Sequence, residues 1–175
     1  MSVFHIRLSK ARLWGAAYVS LQIIYFAYNF QMFNNDLLYK SFRKSAGFGL
    51  PIARASAACI SLAAGIILLP VCRNLITIFR QSIIGRILPF DSNIKFHRLL
   101  GYSIVLFSAL HIGAHTNNLR HVSDNPLATL WTHGTMLTGI ALTFILVLMV
   151  TASISKVKKP LFEIFFYVHH LYIVR

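Results

Sequence analysis

Three histidines, His97, His111 and His115, lie in an otherwise apolar stretch over residues 96–118, and imidazole in such surroundings needs a partner. The 14 residues from His97 to His111 return a helical side chain to within roughly 40° of the same face, about 21 Å along the axis. One helix face therefore offers two imidazoles near opposite sides of a hydrocarbon core roughly 30 Å thick. Two stacked metal centres need such a face, since imidazole is a common metal ligand. The alternative is that each ring bonds a backbone carbonyl or a neighbouring hydroxyl. His115 follows His111 by four and lies on the same side, one turn further out. There it can approach a centre held by His111 without ligating it. A further pair, His169 and His170, projects about 100° apart on a helix, so at most one of them faces a shared partner.

The elements that position these rings follow from where charge is missing. Of 175 residues, 57% are hydrophobic and only four are acidic. Residues 13–35, 55–72, 99–119 and 125–155 carry no charged side chain, and each run is long enough to cross a bilayer. A fifth run, 164–174, covers about half a crossing and reads as a truncated helix. The expected fold is an all-α membrane protein with four full spans and an incomplete fifth, preceded by a cytoplasmic amphipathic segment over residues 1–12.

The net charge of +13 would suggest nucleic acid in a soluble protein. Here eleven cations fall on one side of the membrane: Arg7, Lys10, Arg12, Arg73, Arg80, Arg86, Lys95, Arg98, Lys156, Lys158 and Lys159. Lys40, Arg43, Lys44 and Arg120 fall on the other. An excess of cations marks the cytoplasmic side, so the N-terminus is expected there. Anionic lipid is the partner for this charge, and nucleic acid is excluded. Cys59 and Cys72 have no metal-site spacing and read as packing residues.

Arg54 lies about one turn into the second span, where it either snorkels to the boundary or meets an anion. Pro70 removes a backbone donor and is expected to kink that helix just before Cys72. Arg73 and Arg80, two turns apart, share a face. They form either a solvated basic surface or a clamp for carboxylates such as haem propionates. The run Leu88-Pro89-Phe90-Asp91 reads as a turn, with Ser92 or Asn93 capping the third helix. His121 is expected at the surface, and the fourth span reads as scaffold. With the third and fifth segments both running outward, His97 and His169 can approach a flat macrocycle from opposite sides, although His97 sits closer to the boundary charges.

Five stretches carry a family resemblance: Ala53-Arg54-Ala55-Ser56-Ala57-Ala58-Cys59; Ile67-Leu68-Leu69-Pro70-Val71-Cys72-Arg73-Asn74-Leu75; Leu88-Pro89-Phe90-Asp91-Ser92-Asn93-Ile94-Lys95-Phe96-His97; His111-Ile112-Gly113-Ala114-His115; and Phe162-Glu163-Ile164-Phe165-Phe166-Tyr167-Val168-His169-His170-Leu171. In this collinear order they resemble the catalytic subunits of NADPH oxidases, within the ferric reductase-like transmembrane group. The loop before His97 is most similar to the calcium-regulated branch. The resemblance implies a six-helix bundle holding two b-type haems. His97 and His169 match the ligands of the cytoplasmic-side haem, and His111 matches one ligand of the outer haem. Arg54 and His115 match polar residues beside the outer haem, where molecular oxygen takes its electron, and Arg73 and Arg80 match inner propionate contacts. In the family, NADPH reduces FAD in a cytoplasmic domain and superoxide forms outside.

The same resemblance places the second outer-haem ligand about 13 positions after His169 and an apolar residue where Arg175 stands. On this reading the chain is C-terminally truncated. It lacks the sixth helix and the FAD and NADPH domain, binds the outer haem incompletely and does not oxidise NADPH alone. Alternatives on the same residues are a metalloreductase membrane domain, a His-lined proton channel, and an inert or regulatory chain that only pairs with full-length subunits. A second copy of the chain or an accessory membrane subunit is the further partner expected.

Overall fold

The structure is a computed structural model. It describes the backbone at residues 2–88 and 90–173, and the side chains there except at 2–9, 84, 86, 127, 172 and 173. Expectations placed on Arg7, Arg86, Pro89 and Arg175 fall outside that description. The described residues are helical, with no strand among them. The chain divides into two compact units, residues 1–122 and 123–175.

In the first unit the long helices are α1 (Ser2–Asn35), α3 (Gly49–Ile66) and α6 (Asn93–Val122). Between α1 and α3, α2 (Lys40–Ala46) ends at Gly47, whose φ of 61° lies in the left-handed region that glycine enters without strain. The basic connection over 34–49 is therefore largely helical. Two shorter helices, α4 (Arg73–Gln81) and α5 (Ile84–Ile87), link α3 to α6. A 3-10 turn over Phe90–Ser92 leads into α6 at Asn93, the boundary expected from sequence.

α3 is the hub because its side chains are small. Ala55, Cys59 and Ala63 are each 0% exposed and recur every four residues, so they line one face and let neighbouring backbones come close. The core is Tyr18 from α1, Ala63 from α3 and Leu100 from α6, flanked by Ile66, Ile67, Phe96, Leu99 and Ile104. Within lipid the hydrophobic effect between helices is absent, so packing and interhelical hydrogen bonds hold the bundle.

One such set runs through the core. Ser103 Oγ donates to Leu100 O at 2.8 Å, which fixes its proton. The 2.6 Å contact to Tyr18 is then a donation from the phenol, and Gln22 Nε2 donates to the Tyr18 oxygen at 2.7 Å. These polar residues explain how α1 differs from the other spans. Among the described residues, three helical stretches are long and apolar enough to cross a membrane: Gly49–Val71, Phe90–Val122 and Gly134–Ser153. α1 contains the charge-free run 13–35 but is not among them, because Tyr18, Gln22 and Asn29 lower its hydropathy. All three of those side chains are buried against protein.

Gly49 opens α3 under close approach from α6. A Cβ there would collide with the buried side chain of Asn118 and press on the Asn117 amide, which itself donates to Ala46 O. Gly49→Ala is expected to destabilise the first unit by about 1–3 kcal/mol through overpacking, read as a lowered midpoint in thermal unfolding of the detergent-solubilised chain.

The second unit comprises α7 (Pro126–Thr132), α8 (Gly134–Ser153), α9 (Ser155–Lys158) and α10 (Phe162–His169). Asn125 caps α7 by accepting from the Ala128 N–H, and Pro126 begins it. Thr138 and Thr143 donate back to Thr135 O and Gly139 O, so their hydroxyls are satisfied within α8. The fifth charge-free run forms α10 and a following 3-10 turn, His170–Ile173.

Candidate functional site

Each histidine singled out as a ligand is held by the same ring nitrogen. His97 Nδ1 lies 2.9 Å from Ile67 O, and His111 Nδ1 lies 2.9 Å from Ala53 O. A carbonyl oxygen only accepts, so Nδ1 carries the proton in both rings and a neutral imidazole has its lone pair on Nε2. In the second unit His169 Nδ1 lies 3.2 Å from Ser153 Oγ. That hydroxyl donates its own proton to Met149 O at 2.7 Å, so it accepts from His169 and sets the same tautomer. Hydrogen bonding of Nδ1 to a carbonyl or hydroxyl is how proteins orient a metal-binding imidazole and raise its basicity. The two readings of these histidines, hydrogen-bonded to backbone or ligating, thus use opposite nitrogens of one ring.

The carbonyl that receives His97 owes its availability to Pro70. The proline ring excludes the carbonyl four residues earlier, and α3 ends at that residue, Ile66. Val71 N–H then bonds Leu68 O in a 3-10 turn over Leu69–Val71 instead of Ile67 O. Ile67 O, released from the ladder, is left for His97. Pro70→Ala lets the helix run on and returns Val71 N–H to Ile67 O. The expected result is a weaker hold on the His97 ring and about tenfold lower affinity for a metal cofactor at that level, the lower end for losing an outer hydrogen bond. Competition of the variant with a haem-binding protein measures it.

At the other end of the α3–α6 contact, Ala53 is followed by Arg54, and His111 by its neighbour His115. The rings of His111 and His115 meet edge-on with centroids 4.5 Å apart. Arg54 is exposed, and its guanidinium carbon sits 5.7 Å from the centroid of Phe33, within cation–π range. The structure thus places Arg54, His111 and His115 around one turn of the α3–α6 contact.

The basic pair on α4 behaves differently. Arg73 and Arg80 are both exposed, but Arg80 Nη2 reaches Asp91 Oδ1 at 3.4 Å and Phe90 O at 3.5 Å. At more than half exposure for both partners this ion pair contributes little to stability. It tethers α4 to the turn that precedes His97.

In α10, His169 is half-buried beside Phe165, with ring centroids 5.0 Å apart. His170 is exposed and turned back to Phe166 O, whereas His169 is held by Ser153 of α8. His121 likewise bonds its own helix at Asn117 O and is exposed.

Sequence reasoning missed Ser153, because the fourth span read as scaffold. A hydroxyl at the last position of an apolar helix, 16 residues before His169, was the available signal. It also missed the chain from Gln22 through Tyr18 to Ser103, whose members are unremarkable singly.

Long apolar helices define an integral membrane protein, and α6 carries two imidazoles whose Nδ1 protons are held by carbonyls of the α3 segment. Haem is a cofactor that proteins can hold by single imidazoles. Among the described residues no group of three or more His, Cys, Asp or Glu side chains comes together. Comparison with known proteins gives the family: residues 54–175 match the ferric reductase like transmembrane component, and the chain belongs to it. It is 32% identical to NADPH oxidase 1 of Rattus norvegicus over 93% of its length. It is 30% identical to NADPH oxidase 4 of Homo sapiens over 90%. It is also 30% identical to a superoxide-generating NADPH oxidase heavy chain of Dictyostelium discoideum over 85%. The chain spans about a third of these relatives: 36%, 31% and 31% of their lengths.

Proposed function

We propose that residues 13–175 form the haem-holding membrane part of a superoxide-generating NADPH oxidase, carrying electrons outward to molecular oxygen, with the N-terminus and residues 1–12 in the cytoplasm. The observation that carries this reading is the shared Nδ1 anchoring of His97, His111 and His169, which leaves each with an Nε2 lone pair of the same kind. Haem iron, when bound, supplies the one-electron carrier.

The roles of the residues follow from the resemblance and from their surroundings. By the resemblance, His97 and His169 would each hold haem at the cytoplasmic level and His111 would hold one at the outer level. Ile67 O, Ala53 O and Ser153 Oγ hold those rings in one tautomer. Arg54 offers positive charge near His111, where it favours an anion formed from oxygen, and His115 is placed to hold or give a proton there. Arg73 would be available to a haem propionate, and Arg80 would join it by giving up Asp91 for that carboxylate. NADPH and FAD act through residues other than these. The names of the relatives favour oxygen over a ferric chelate as acceptor.

The test is to purify the chain, titrate it with haem and record a reduced-minus-oxidised spectrum. Low-spin bis-histidine b-type bands saturating at a fixed ratio of haem to protein support the reading. A chain that is folded by circular dichroism and gives only the spectrum of loosely associated haem overturns it.

A further inference from the structure

The face of α6 turned away from His97 carries a groove that the haem reading does not use. Lys95, Arg98, Leu99 and Tyr102 line a cavity of about 230 Å³. Their spacing of three and four places them on one helix face, roughly 150° around the axis from His97. Lys95, Arg98 and Tyr102 are exposed, and among the described residues neither cation takes part in an ion pair. Leu99 closes the inner wall, facing Gly15 of α1.

We propose that this groove binds the phosphate of an anionic phospholipid. Three observations select that occupant. The two cations lie in the first two turns of α6, and the charge-free run 99–119 follows at once, so the groove sits where apolar helix meets headgroups. Lys95 and Arg98 supply charged N–H donors and Tyr102 a phenol, a ring type suited to the same depth. The volume falls below the roughly 300–1,000 Å³ of pockets that enclose whole ligands. It suits a headgroup whose acyl chains continue along the apolar surface of α6.

Simple attraction of basic residues to an anionic surface would act on any exposed cation pair, so the test compares two such pairs. Binding of phosphatidylglycerol and phosphatidylcholine to the detergent-solubilised chain is counted by native mass spectrometry. It is run for the unaltered chain, for Lys95→Gln with Arg98→Gln, for Tyr102→Phe, and for Lys40→Gln with Lys44→Gln on α2. The expected result is one tightly retained phosphatidylglycerol, weakened about tenfold or more by the Lys95 and Arg98 pair and measurably by Tyr102→Phe, but not by the Lys40 and Lys44 pair. Circular dichroism shows that the variants keep their helices; should the Lys95 and Arg98 pair unfold, Tyr102→Phe decides alone. Equal losses from both lysine-containing pairs, or equal retention of phosphatidylcholine, overturn the proposal. So does displacement of the lipid by millimolar inorganic phosphate, which would make the occupant a free anion.

Discussion

Replacing His97 with alanine is expected to abolish tight haem binding at the cytoplasmic level, a loss larger than the roughly 10–100-fold that follows removal of an outer hydrogen bond. The argument rests on one ring doing two jobs. Its Nδ1 proton is committed to Ile67 O, which holds the plane of the imidazole, and in the proposed reading its Nε2 lone pair would be the donor to haem iron. Alanine removes both, and no other histidine on α6 lies within three turns of position 97. Haem titration followed by a reduced-minus-oxidised spectrum reads the effect directly. His121→Ala is the matched control: an exposed ring bonded only to its own helix, expected to leave the spectrum unchanged. If His97→Ala retains a full bis-histidine spectrum while His121→Ala does not, the assignment of ligands fails.

Ala63→Leu is expected to have the largest effect on folding. Ala63 is 0% exposed and packs with Tyr18 and Leu100 where α1, α3 and α6 meet. Leucine adds three carbons to a contact built on small residues, and overpacking of this kind costs about 1–3 kcal/mol, occasionally more. Ala64, the next residue, is exposed, and Ala64→Leu should stay within about 0.5 kcal/mol. Thermal unfolding of the pair in the same detergent gives the difference. The site should respond as well, because Ile67 O and Ala53 O both belong to the α3 segment that would have to move. Haem affinity at the His97 and His111 levels should therefore fall together in Ala63→Leu.

Much of this architecture could be read from one chain. The charge-free runs 55–72, 99–119 and 125–155 overlap the three apolar stretches found among the described residues, 49–71, 90–122 and 134–153, because excluding charge from hydrocarbon is a strong and local requirement, whereas the run 13–35 is not among them. The 14-residue spacing of His97 and His111 was enough to suggest two levels of one helix face. Pro70 announced a break, and α3 does end four residues before it. What sequence could not supply was the acceptor of each imidazole proton. Ile67, Ala53 and Ser153 take part through a main-chain oxygen or a hydroxyl without local pattern, 30, 58 and 16 residues from their histidines. The groove at Lys95 and Arg98 was equally hidden, since two cations beside a span read as ordinary boundary charge until the fold sets Leu99 and Tyr102 beside them along one open groove.

The inward polar stripe of α1 also bears on biogenesis. α1 leaves the ribosome before α3 and α6, yet Gln22 bonds the carbonyl of Cys59, 37 positions later, and Tyr18 bonds Ser103, 85 positions later. Until both have been synthesised, the amide has only Tyr18 of its own helix to bond and the phenol proton has no acceptor on a neighbouring helix. α1 is therefore the last of these three helices to complete its polar contacts, although it is made before the other two.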